Sequence, residues 1–252
     1  MIETTPYPSI TAAGPELGRH IAAHIDPAFR RLLAGPGVEI TPACIRLITN
    51  TAESAAAAIV PLLVCSAPAA VLLTAPAPDA VHTQLESAGF ERHGGLPCMA
   101  AEIAAIPATT MPAGYTFERV TDPAHRAAWG DVFARGYELP PRTGAAFAGG
   151  ITGDTRPEAP AQYFWISKDG EPVATSILFL HAGLAGIYGV ATVPTHRQSG
   201  LGAHATAQPL RIAKQLGYNV GILQSSEQGH PVYRRLGFTD MGEVPLFVRM
   251  PG

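Results

Sequence analysis

The chain has 252 residues, enough for one large domain or two small ones with real cores. Hydrophobic residues make up 47% and charged ones only 15%, which excludes a disordered chain, and a formal net charge of -3 argues against a general nucleic-acid binder. Three cysteines, Cys44, Cys65 and Cys98, lie far apart without metal-ligand spacing, so reduced, buried thiols, a cytoplasmic location and no metal are expected.

The N-terminus is polar and proline-bearing and carries no secretory pattern. A helix is predicted over residues 16–33, with Leu17, Ile21, Ile25, Phe29 and Leu32 on one face, followed by a strand over 40–49. Residues 54–78 are free of charge and long enough for a membrane span of roughly 20 residues. Pro61, Pro68 and Pro76 interrupt them, so a buried helix and then a buried strand over 69–74 fit better, and no membrane partner is expected. A helix over 79–88 ends at Gly89 and Phe90, where a strand region opens towards Ile103. Pro107 and Pro112 mark an extended linker. The expected division is residues 1–106, a linker over 107–113, and residues 114–252.

The second half begins with a strand over 115–120, a helix over 123–135 and a second helix over 143–149. Strands over 162–167 and 173–180 flank a turn at Lys168, Asp169 and Gly170. A strand over 185–193, a helix over 201–216, a strand over 220–224, a short helix at Pro231 and a strand over 245–250 complete the chain. Pro209, inside the long helix, predicts a kink. Several adjacent strands before the first long crossover helix imply an α/β (α+β) fold, with a mixed, mostly antiparallel twisted sheet flanked by helices.

Residues 190–203 carry the most information. An apolar β-branched run ends at Pro194, a polar turn holds Arg197, Gln198 and Ser199, and Gly200, Leu201, Gly202 and Ala203 open a helix. Free backbone N–H groups and the positive end of the helix dipole converge there, which suits a phosphate. A purely structural glycine turn has the same local pattern. The dinucleotide fingerprint is missing its third glycine and later acidic residue, and Leu201-Gly202-Ala203 stands where a Walker loop needs Gly-Lys-Ser or Gly-Lys-Thr.

Arg197-x-x-Gly200-x-Gly202 resembles the acyl-CoA pyrophosphate loop of the GNAT superfamily of N-acyltransferases. Residues 190–194 resemble the strand that pairs with the pantetheine arm in that family. Residues 223–238, with Ser226, Tyr233, Leu236, Gly237 and Phe238, resemble its later strand, short helix and Tyr-x-x-Leu-Gly-Phe closure. The likeness extends more loosely from about residue 113 onward. Leu85 to Phe90 echo the Leu236-Gly237-Phe238 closure, so the first half is read as a degenerate copy and the architecture as two GNAT-like lobes in tandem.

The resemblance implies acetyl-CoA (coenzyme A) as cosubstrate, held by Ala191, Thr192, Val193, Arg197, Gln198, Ser199, Gly200, Leu201, Gly202, Ala203, Ser226 and Tyr233. It assigns the oxyanion donor to the backbone N–H of Val190 and the proton donor for the leaving thiolate to Tyr233. The alternative for Tyr233 is packing under the Gly237-Phe238 turn, and for Ser226 it is capping of the short helix. No carboxylate lies in residues 183–195, where many relatives place a base. Tyr137, Glu138 and Tyr188 are the candidates for the acceptor side, with His181 as another conceivable base and residues 241–245 as part of the wall. Arg234 and Arg235 either meet the coenzyme's 3′-phosphate or form a solvated face.

The resulting expectation is an N-acetyltransferase that passes an acetyl group to a primary amine of a small molecule or peptide, by direct attack in a ternary complex. The rival is a non-catalytic acyl-CoA-binding sensor or interaction module. The first half is open between acceptor wall, dimer surface and scaffold, and a homodimer stays open with it.

Overall fold

The computed structural model describes residues 5–15, 17–33, 46–48, 69–73 and 79–249. The apolar helix expected before residue 69, and Cys44 and Cys65, lie outside them. The helices are α1 (Ile10–Ala13), α2 (Leu17–Leu33), α3 (Asp79–Ser87), α4 (Arg126–Tyr137), α5 (Pro141–Ala148), α6 (Leu201–Gln215) and α7 (His230–Arg235). The strands are β1 (Arg46–Ile48), β2 (Ala69–Leu73), β3 (Glu91–Glu102), β4 (Tyr115–Val120), β5 (Ala161–Lys168), β6 (Glu171–His181), β7 (Leu184–Thr192), β8 (Val220–Gln224) and β9 (Thr239–Arg249).

These strands form one nine-stranded sheet in the order β1-β2-β9-β3-β8-β7-β6-β5-β4. Only β1–β2 and β7–β8 are parallel, and all other neighbours are antiparallel. The expected mixed, mostly antiparallel sheet flanked by helices is what the chain forms. Residues 107–112 carry no helix or strand, yet the strands on either side of them belong to the same sheet. Among the described residues no helix is long and apolar enough to cross a membrane.

The two faces of the sheet follow from period-two alternation along each strand. Met99, Ala101, Leu178, Ile187 and Leu223 point to the face covered by α6, where Leu210 and Ala213 meet them. Ile177, Phe179 and Tyr188 point the other way, onto Trp129, Phe133 and Phe147 of α4 and α5. On that second face Cys98, Ala100, Val220 and Ile222 receive Leu17, Ile21 and Ile25 of α2. Each of those three helix side chains is almost fully removed from water, worth about 1.5–3 kcal/mol apiece as an upper estimate. Cys98 is a free, buried thiol, and burial pushes its pKa up to about 12.

Helix ends explain the echo between the two halves. Phe90 N–H bonds to Leu85 O across Gly89, and Phe238 N–H bonds to Tyr233 O across Gly237. Tyr218 N–H does the same to Ala213 O across Gly217, a third instance. All three glycines have positive φ, so each Leu-Gly-aromatic or Ala-Gly-Phe run is a helix stop with an aromatic leading onward. The same helix-end geometry thus occurs in both halves and twice within the second.

Candidate active site

The parallel ladder between β7 and β8 ends at Ile187 and Leu223. Beyond that point lies a cavity of about 1000 Å³, lined by Val190, Ala191 and Thr192 of β7 and by Gln224 of β8. On its other side the register of β7 against β6 breaks: Thr175 pairs with Ala191, but Ile177 pairs with Tyr188. Gly189, at φ 59, takes up the break, and its carbonyl accepts the Thr175 hydroxyl at 2.9 Å. Val190 is thus left without a ladder partner on either neighbouring strand, in a bulge that re-aims the backbone.

After β7 the chain makes a single 3-10 turn (Pro194–His196), a left-handed residue at Gln198 (φ 62) and Gly200 at φ 81, and then α6 begins. No side chain caps α6, although the first N–H groups of any helix lack intrahelical partners. Ser199, a natural cap, instead spends its hydroxyl on the His196 carbonyl. Arg197, Gln198, Gly200, Leu201, Gly202 and Ala203 line the cavity. A side chain added at Gly202 would meet nothing within 4 Å, so packing within the protein does not demand glycine there. Pro209 does not end the helix, which runs on to Gln215.

Arg197 does not offer its guanidinium freely. Its Nε donates to Thr192 O at 3.3 Å, one terminal nitrogen donates to Gly136 O at 2.8 Å, and both terminal nitrogens reach the Glu138 carboxylate at 3.3 Å. Tyr137 and Glu138 line the cavity as expected, but the Glu138 carboxylate is engaged by the loop arginine. Glu227, which the sequence did not single out, also lines the cavity, as do His196, Gln228 and Val232.

Tyr233 sits on α7, buried to 8% exposure, and lines the cavity. Burial drives its pKa well up, the Tyr137 phenol adds to that, and the Thr206 hydroxyl works against it. The phenol therefore keeps its proton at neutral pH. Ser226 lines the cavity, and its hydroxyl accepts the Gly229 N–H at 3.2 Å in the turn before α7; it does not cap that helix, which has no side-chain cap. Of the two arginines on α7, Arg235 lines the cavity, whereas Arg234 is drawn to Asp240 at 3.7 Å.

Three expected site residues are placed elsewhere. Val193 is buried, and its N–H donates to Val173 O at 2.9 Å, so that group is taken by the sheet. Ser199 is not among the lining residues. Tyr188 is 6% exposed, and its hydroxyl meets His24 Nδ1 at 2.7 Å beneath α2. His181, at the far end of β6, packs its ring 5.7 Å from that of His24. Residues 241–245 run along β9, with Val244 opposite Leu96 and Glu243 opposite Pro97. Among the described residues no three His, Cys, Asp or Glu side chains gather as a metal site.

Residues 131–238 match the acetyltransferase (GNAT) family. No curated protein matches the chain. Among solved structures, the GCN5-related N-acetyltransferase from Kribbella flavida is similar over 93% of this chain and 95% of its own, at 20% identity and a TM-score of 0.62. The GCN5-related N-acetyltransferase from Sphaerobacter thermophilus is similar over 73% of this chain and 60% of its own, at 17% identity and a TM-score of 0.56. A functionally unknown conserved protein from Staphylococcus epidermidis aligns over 84% and 87% of the two chains, at 12% identity and a TM-score of 0.53. At these identities the likeness is one of fold.

Proposed function

We propose that the cavity binds acetyl-CoA and that the protein passes the acetyl group to a primary amine. The observation that carries this reading is the uncapped start of α6, which lies on the cavity with open space at Gly202. Backbone N–H groups at a helix start, with no side chain in front of them, suit a pyrophosphate. The side of β7 that has lost β8 borders the cavity from Val190 to Thr192 and suits the amides of the pantetheine arm, which pair as an added strand does.

The chemistry then falls on two groups. Attack of a neutral amine on the thioester carbonyl puts negative charge on its oxygen, and the N–H of Val190, a residue with no register partner on β6 or β8, is the donor for it. Collapse breaks the C–S bond, and the sulfur needs a proton. Tyr233 holds one at neutral pH and lines the same cavity, so it gives that proton to the departing thiolate and recovers it from solvent. The surplus proton of the amine leaves to water, since Glu138 is occupied by Arg197.

Calorimetry with acetyl-CoA, followed by thiol release with a panel of primary amines, tests this directly. Saturable binding with turnover on at least one amine is expected. Absence of binding overturns the donor assignment, and tight binding without turnover on any amine favours an acyl-CoA sensor.

A further inference from the structure

The contact between Arg197 and Glu138 joins two parts of the cavity that serve different ligands in the reading above, on which this inference rests. Arg197 opens the donor loop, whereas Glu138 belongs to the segment between α4 and α5. The two residues flanking Glu138, Tyr137 at 41% and Leu139 at 36%, are the exposed large hydrophobics of the described chain. Tyr137 lines the cavity near Tyr233.

Two features of the junction are unusual for a chance surface ion pair. Glu138 closes α4 in the left-handed conformation (φ 57, ψ 39), where glycine is the comfortable residue and any side chain is strained. What the chain gains over glycine there is a carboxylate on Arg197. The last turn of α4 also lies hard against β7: a side chain on Gly136 would come within 2.7 Å of Ala191 Cβ and 3.0 Å of Thr192 N. The Gly136 carbonyl so placed is the one that takes the 2.8 Å bond from Arg197. Helix end, donor strand and donor loop thus meet at one guanidinium, which also favours the negative end of the helix dipole.

We propose that Glu138 is a positioning residue for the donor, acting through Arg197, and that this junction ties the cavity wall at Tyr137 and Glu138 to the pyrophosphate loop. The carboxylate holds the guanidinium in line with Gly136 and Thr192, and this fixes where the loop backbone presents its N–H groups. The donor's affinity then depends on a residue from the acceptor side of the cavity. A bare electrostatic view gives the opposite sign, because removing a carboxylate near a bound pyrophosphate should tighten binding.

Calorimetry with acetyl-CoA on the full chain separates these. Glu138→Gln is expected to weaken binding about fivefold, the scale of one charge-assisted hydrogen bond held at a partly exposed site. In an Arg197→Ala background the same change should alter Kd by less than about twofold, as residues acting in series do. Glu138→Gly supplies a readout that a purely structural role would not produce: weaker donor binding together with a Tm unchanged or raised by about 2–4 °C, since strain is relieved. Tighter or unaltered binding in Glu138→Gln overturns the proposal, as does an effect that persists without Arg197. So does a Glu138→Gly protein that melts earlier and binds normally. Wild-type protein that fails to bind acetyl-CoA removes the donor reading itself, a separate result from wild type and Glu138→Gln binding alike.

Discussion

The imidazole Nδ1 of His24 and the hydroxyl of Tyr188 lie 2.7 Å apart inside the protein, joining α2 to the strand that leads into the donor loop. Their rings are nearly parallel, at 4°, and 164 residues of chain separate them. Tyr188→Phe leaves the buried His24 nitrogen without this partner and should cost about 1–3 kcal/mol of stability by urea titration. Because the two side chains serve each other, replacing both should cost less than the sum of the single changes. Strict additivity would show that the contact contributes nothing.

The same histidine sets a pH dependence. Burial, and then the neighbouring His181, lower its pKa from the ordinary 6.5 to about 3. Between those values the unfolded chain takes up a proton that the folded chain refuses. Stability contributed this way is complete above pH 6.5 and falls as pH drops towards 3, at up to about 1.4 kcal/mol per pH unit. Denaturation of wild type and His24→Gln across pH 4–7 checks it: the slope, whatever its absolute level, should be shallower in the variant. Parallel slopes would mean that His24 is not buried as a neutral ring.

Tyr233→Phe should lower kcat by about 100-fold while leaving acetyl-CoA affinity within twofold, the mark of a general acid and not of a binding group. Because its pKa is raised, the wild-type phenol stays protonated as pH climbs from 7 to 9, so no loss of rate over that range should come from it. A variant with unimpaired kcat would leave Tyr233 as a packing residue under the Gly237-Phe238 turn.

The two loop glycines should separate in their effects. Gly200 has φ 81, so Gly200→Ala strains the backbone and should lower Tm by about 2–4 °C, although nothing crowds the new methyl. Gly202 has ordinary φ and open space, so Gly202→Asp should fold as wild type yet abolish acetyl-CoA binding, because its carboxylate would repel a pyrophosphate held at the start of α6. Unaltered affinity would refute the loop assignment.

Arg235 and Arg234 stand side by side on α7 but face different surroundings. Arg235→Gln should weaken donor binding several-fold, with a milder salt dependence, whereas Arg234→Gln should not, since Asp240 already holds that cation. Calorimetry at two ionic strengths distinguishes them; equal effects would place the anionic donor elsewhere.

What the sequence revealed depended on how local the cause was. β4 and β8 have the predicted boundaries, 115–120 and 220–224, because an alternating segment in the first and an apolar run in the second are each bounded by turn residues. β9 starts six residues before the predicted 245, for its early part is held as a strand by pairing with β3 and carries Gly242 at φ 126, which no local pattern announces. The glycine turn before α6 was legible for the same reason as β4: glycine and a helix start act on their immediate neighbours. The acceptor side was not. Tyr188 turned inward because His24, from the far end of the chain, waits under it, and Glu138 gave its carboxylate to Arg197 across 59 residues. Val193 looked like a continuation of the donor strand until Val173 took its N–H.

The position of β9 has a consequence for how the molecule can be divided. This strand follows all the others in the chain, yet it lies inside the sheet, with β2 on one flank and β3 on the other. A polypeptide cut at the proline-rich stretch near residue 107 would therefore not yield two independent bodies. The later fragment would carry β8 and β9 with an empty slot between them, and the earlier one would carry β3, the strand made to fill it. Produced apart, each should expose an unpaired edge and precipitate; produced together, they should reassemble as a split protein whose recovered coenzyme binding reports the joining.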